Sequence, residues 1–235
     1  MVLSDGQMAT MTIDKGESVN GWARHNTQGV YESVVTIPVT GGEQTWQIAS
    51  RTVNGNTVRY VEVINPDVKM DCAIIGHQAS PGAKVWAGLG HLEGKEVIVL
   101  ADGLSAGKFT VVGGQITLPD NAIDVQIGLS RIPRIVLLPA VVQGQTGTNQ
   151  GKQMRTAKMV MRFLNTIGCR VNGKEQIPFR NFGDGLLDQP ILPFTGDKEV
   201  TMLGWEKNGK EVVIEQIDPL PFNILAIFRD GTVND

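Results

Sequence analysis

The chain is short of several things, and each shortage removes a class of function. Its 235 residues include only two cysteines, Cys72 and Cys169, far apart in sequence. They fit no metal-ligand spacing and make no disulfide framework, so both read as small buried hydrophobes. The three histidines, His25, His77 and His91, form no His-Glu-x-x-His arrangement and have no Cys or His neighbour at ligand spacing. No metal and no other cofactor is therefore expected. Cations are not in excess either. A net charge of −3 argues against a dedicated nucleic-acid binder. No stretch approaches the ~20 apolar residues of a membrane span. The N-terminus, Met1-Val-Leu-Ser-Asp-Gly6, has no basic region and no apolar signal core. The expected place is the cytosol until the chain joins an assembly. Strand-like sequence follows Met1 almost at once, which reads as the C-terminal part of something larger or a separately encoded partner of it.

What the chain does have is glycine, 28 residues, with 11 prolines spread throughout. That composition opposes long helices and favours short strands joined by tight turns, so the predicted fold is all-β. Val30 to Val39, Thr45 to Val53 and Thr57 to Ile64 read as an antiparallel meander, propeller-blade-like or half a sandwich. Asn54-Gly55 between the last two is a hairpin signal, because both central residues of a type I′ turn need positive φ. In the return strand Thr57, Arg59, Val61 and Val63 share one face, and Val58, Tyr60 and Glu62 the other. Residues 7–13 suit an edge strand.

The organisation expected is a meander region over 1–66, a connection over 67–90, a β-sandwich-like region over 91–142 and a C-terminal β region over 143–235. Lys95 to Ala101, Lys108 to Val112, Gln115 to Leu118 and Ile123 to Leu129 are strands separated by turn signals. Met154 to Ile167 is compatible with helix or strand on periodicity alone. As a strand it puts Ala157, Met159, Met161 and Phe163 on one face. Val200 to Trp205 and Glu211 to Ile217 are expected to pair around Asn208-Gly209, with Phe222 to Phe228 as the last strand. Trp22, Trp46 and Trp205 are expected in or beside β cores.

Catalytic patterns are scarce. Gly103-Leu-Ser-Ala-Gly107 matches Gly-x-Ser-x-Gly formally, but an Asp-Gly turn precedes Ser105 and a strand follows, where the motif needs a strand and then a helix. The same stretch fails as a phosphate loop, with too few residues between its glycines and Phe109 where Ser or Thr must bind magnesium. Gly88-Leu-Gly90 lacks the third glycine of dinucleotide sites. No catalytic residue is assigned, and the chain is read as a non-enzyme.

Two non-catalytic features stand out. Residues 151–180 hold seven cations against one acid, Glu175. Within them Lys152, Arg155, Lys158 and Arg162 form a possible basic contact patch, facing a partner subunit more than DNA; the bland alternative is a solvated strand face with carboxylates beside it. The loop at 177–196 carries Phe179, Phe182, Leu186, Leu187, Ile191, Leu192 and Phe194. So much apolar surface in a loop suggests subunit contacts.

Gly21-Trp-Ala-Arg-His-Asn-Thr-Gln-Gly29 with Tyr31-Glu-Ser-Val-Val35 resembles a recurrent segment of podovirus tail proteins. So do Arg51 to Glu62, Gly90 to Val97 with Leu100 to Gly103, Gly114 to Leu118, Thr195 to Val200 and Glu215 to Pro221, in that order. The family is the tail nozzle type, also called tail tubular protein B, near the packaged-DNA stabilisation proteins. The resemblance covers about residues 5–228 and corresponds to the C-terminal part of longer relatives. It implies a β-rich, non-catalytic subunit of a ring, a hexamer, at the distal end of a short tail, beside a tail adaptor or tubular protein. DNA would pass through with weak, non-specific contact. It also favours strand over helix at 156–167. The alternative function is a tail module that binds host glycan or attaches tail fibres, for which the supply of Trp and Tyr is thin.

Overall fold

A computed structural model describes residues 1–139, 141, 143–144, 147–148, 152–173, 175–176, 190–201, 206–207 and 211–234. The fold is all-β, built of antiparallel sheets, and the chain divides into two compact units, Met1–Arg131 and Ile132–Asp235. Among the described residues no helix is long and apolar enough to cross a membrane.

The first unit opens with a two-stranded ribbon, β1 (Met8–Asp14) and β2 (Val19–His25). Next comes the three-stranded meander of β3 (Val30–Val39), β4 (Gly42–Val53) and β5 (Asn56–Val63). Asn54 and Gly55 have φ of 46° and 78°, the positive pair that the tight turn between β4 and β5 requires. Then follow β6 (Asp71–His77), β7 (Ala83–Ala87), β8 (Glu96–Ala101), β9 (Leu104–Thr110), β10 (Gln115–Ala122) and β11 (Asp124–Leu129). They form a four-stranded sheet in the order β6-β11-β8-β9 and a β10-β7 pair. Leu89, Leu92, Val97, Val99, Ile127 and Leu129 centre its main core, with Trp86 beside them. Trp86 fits because Gly76 offers no side chain: a Cβ there would stand 2.7 Å from the indole ring.

The expected connection over 67–90 thus contains two strands, and the compact units meet at Arg131 and Ile132 instead. Cys72 to Ile75 is a continuous short apolar run, which lacks the alternation that marks a half-buried strand.

The second unit contains β12 (Arg134–Leu137), β13 (Gln143–Gly144), β14 (Gly147–Thr148), β15 (Gln153–Thr166), β16 (Arg170–Val171) and β17 (Glu175–Gln176). It ends with β18 (Phe194–Thr201), β19 (Glu206–Lys207), β20 (Val212–Glu215) and β21 (Ile224–Asn234). The ambiguous segment is a strand: β15 pairs with β18, β19 and β21, and buries Met159, Met161 and Phe163 on one face. The expected pairing of Glu211 to Ile217 with Val200 to Trp205 is replaced. Val212 to Glu215 pairs with β12 and with β16, and β18 pairs with β15. Val212 and Ile214 are fully buried, so long-range partners on both sides outweigh the local turn signal.

Candidate functional site: a polar cleft beside a free strand edge

The Asn-Gly turn fixes the register of β4 against β5, with Gln47 opposite Glu62 and Arg51 opposite Val58. Gln47, Ala49 and Arg51 consequently share the inward face with Val58, Tyr60 and Glu62. Arg51 is 1% exposed. Its guanidinium meets the Glu62 carboxylate through Nη1, and Nη2 donates to Glu62 Oε2 and both Asp71 oxygens at 3.1 Å and to Thr27 Oγ1 at 2.8 Å. The Thr27 hydroxyl in turn donates to Asp71 Oδ2. Burial opposes the charge on Arg51, but the Glu62 hydrogen bond and the Asp71 charge outweigh it and raise its pKa. A buried cation held this way costs several kcal/mol when one partner is removed, typically about 3–5.

A cleft of about 510 Å³ opens beside this network. Its polar wall is Gln47, Tyr60, Glu62, Asp71, His91 and Arg131, and its apolar rim includes Val61, Val63 and Ile75. Tyr60 donates its hydroxyl to the His91 carbonyl at 3.0 Å, and the two rings meet edge to face. Cys72 also lines the cleft, and burial pushes its thiol up to about 12, with Glu62 adding to the shift. Gln47 donates to Glu62 Oε2 at 3.0 Å, while its own Oε1 is buried and accepts no hydrogen bond from a described residue. That acceptor sits inside the cleft wall rather than on its surface.

At the root of the ribbon, Arg131 approaches His25 Nδ1 and Thr10 Oγ1 lies 2.9 Å from His25 Nε2. A guanidinium can only donate, so Nδ1 accepts and Nε2 carries the proton. Burial, and then the Arg131 charge, lower the His25 pKa.

The residues expected from sequence lie elsewhere. Lys158 and Arg162 of the expected basic patch are met by carboxylates on β18: Lys158 pairs with Glu199, and Arg162 with Asp197 in a two-pronged contact at 2.8 and 2.9 Å. Hydrogen bonding to Arg162 lowers the Asp197 pKa. Farther along, Arg170 pairs with Glu215. Arg155 is half-buried on β15, and Lys152, just before that strand, is half-buried too. The local cation surplus is thereby offset by acids distant in sequence. Of the expected interface loop, Phe179, Phe182, Leu186 and Leu187 lie outside the described residues. Ile191 and Phe194 pack against the core of their own unit, and Leu192 stands 83% exposed.

Ser105 is an exposed residue of β9, on a strand and not at a strand-to-helix turn. Among the described residues no three His, Cys, Asp or Glu side chains gather as a metal site. Trp22 corrects the expectation that it packs in a core: it is 64% exposed on the ribbon, while Trp86 is the indole buried in the core. Trp46 is half-buried, and Trp205 lies outside the described residues. The Arg51 network had a sequence signal in the turn-centred register of β4 and β5; Asp71 had none. No protein-family model and no curated protein matches the chain.

Proposed function

We propose that the chain is a non-catalytic structural subunit of a multi-subunit assembly, and that this assembly is the ring-forming nozzle of a short bacteriophage tail through which DNA exits. The observation that carries the first part is apolar surface left bare. On the ribbon Met11, Ile13 and Trp22 are exposed; on the outer face of the meander Val35, Val61 and Val63 are exposed, beside half-buried Trp46. A sheet with one solvated face ordinarily reads polar on that face. Apolar surface on this scale marks contacts with another chain. The collinear resemblance to tail nozzle proteins supports the second part. It makes the partners further copies in a hexamer and a neighbouring adaptor or tubular protein, assembled in the host cytoplasm and carried in the virion tail. The carboxylates that pair with Lys158 and Arg162 leave little free cation there to hold a passing polyanion.

One observation favours the second reading, a glycan-binding or fibre-attachment module: Trp22 offers an exposed indole to a sugar face. Mass measurement of the purified chain across a concentration series separates the two. The ring reading expects a sixfold species. A monomer that binds host polysaccharide, with binding lost in Trp22→Ala, replaces it with the second reading.

A further inference from the structure

Among the described residues β5 leaves one edge unpaired. Ile64 donates its N–H to Thr45 O at 2.9 Å, continuing the ladder between β5 and β4. Amides alternate sides along a strand, so those of Val61 and Val63 point away from β4, toward an edge that pairs with no described strand. Exposed edges are normally guarded by charge, proline or a bulge. This stretch carries Val61, 70% exposed, and Val63, above the cleft with the unmatched Gln47 acceptor.

The ribbon has the complementary features. Only its root at Met8 and Ala9 is buried, and every residue from Met11 to Asn20 is exposed. The Ala9 N–H donates to Met1 O, away from β2, so the amides of Met11 and Ile13 also point outward. Beyond Ala9 that edge pairs with no described strand.

We infer that β1 of one copy adds as an antiparallel strand to the β5 edge of the next, with Met11 opposite Val63 and Ile13 opposite Val61. This inference rests on the ring reading and specifies its contact. In this register the outward amides of both strands face each other, as hydrogen-bonded pairs require. Thr12 falls opposite Glu62 on the inward face. Within one copy Val35, Trp46 and Val63 already form a cross-strand row, and Met11 sits opposite Trp22. The junction joins them into one apolar row across five strands. Each copy gives a ribbon on one side and receives one on the other, a head-to-tail contact of the kind that closes into rings.

Two variants of the full chain test it. Met11→Ser with Ile13→Ser disables the ribbon, and Val61→Lys with Val63→Lys guards the edge; an unchanged circular dichroism spectrum and a cooperative melt confirm that each folds, while the melting temperature itself falls with lost assembly. Each alone should raise the concentration needed for assembly roughly tenfold or more. An equimolar mixture should form dimers and stop there, because each pair retains one working ribbon and one working edge. A single chain carrying Met11→Cys and Val63→Cys should crosslink between copies on oxidation, and Thr12→Cys with Val63→Cys far less. An oligomeric wild type whose variants assemble unchanged overturns the inference and leaves the ring reading standing. So does a mixture without dimers. A wild type that stays monomeric at every concentration overturns the ring reading and the contact with it.

Discussion

Two tryptophans show how far environment, not residue type, sets the value of a side chain. Trp86 donates its indole N–H to the Ala83 carbonyl at 3.1 Å and fills the space that Gly76 leaves. Trp86→Ala should cost about 3–5 kcal/mol. Trp22→Ala should cost less than about 0.5 kcal/mol, as exposed substitutions do. Denaturant unfolding of both variants checks the pair, and equal losses would mean that the ribbon packs on its own unit. His25 gives a prediction with a sign. Its folded pKa lies below the ordinary 6.5, so the unfolded chain binds the extra proton first as pH falls. Stability contributed by neutral His25 is complete above pH 6.5 and is lost as pH drops below it toward the folded value. Melting curves between about pH 5 and pH 8 should show this decline in the wild type and a shallower one in His25→Gln.

At the scale of elements, the turn between β4 and β5 does more than reverse the chain. Its register puts Arg51, Gln47 and Glu62 on one inward face. A Cβ on Gly55 would touch nothing, so Gly55→Ala isolates the backbone cost of positive φ, about 1–2 kcal/mol. A melting measurement that finds no loss would mean that the turn relaxes to another type. The meander was legible in sequence because alternation, an Asn-Gly pair and a flanking proline all agree there. The inward pairing of Arg51 with Glu62 follows from the same register. Its third member, Asp71, was not legible, since it comes from the start of β6, beyond a loop whose path no local pattern dictates. The C-terminal pairing failed for the same cause. β20 has a nearby turn signal, yet its alternate buried residues are satisfied only between β12 and β16. Strand or helix at β15 could not be decided by period, because its apolar residues serve both patterns; pairing with β18 and β21 decides it.

At the scale of the whole molecule, several cations are paired with carboxylates distant in sequence. The surplus along β15 is met by Asp197 and Glu199, and the chain totals −3. Binding to duplex DNA should therefore be weak and without sequence preference. Each phosphate neutralised would add about −0.9 to the slope of log affinity against log salt, so a salt series counts the contacts. Lys158→Glu with Arg162→Glu should leave that slope unchanged, while the new repulsion against Glu199 and Asp197 loosens the β15–β18 pair. Tight binding at physiological salt, abolished by the double change, would put β15 on the DNA path.

The two cysteines fall one to each unit, Cys72 in the first and Cys169 in the second. Burial holds both thiols near 12, against an ordinary 9.0, so the reactive thiolate is roughly a thousandfold scarcer at neutral pH than in an open chain. Each unit thus carries its own thiol probe. Under a thiol-specific alkylating reagent, Cys169 should be modified at the rate at which the second unit exposes it, while Cys72, half-buried at the cleft wall, should react sooner. Peptide mass spectrometry over time would read the two rates from one sample of unaltered protein. Labelling as fast as a free peptide thiol at either site would show that its unit opens far more often than its burial implies.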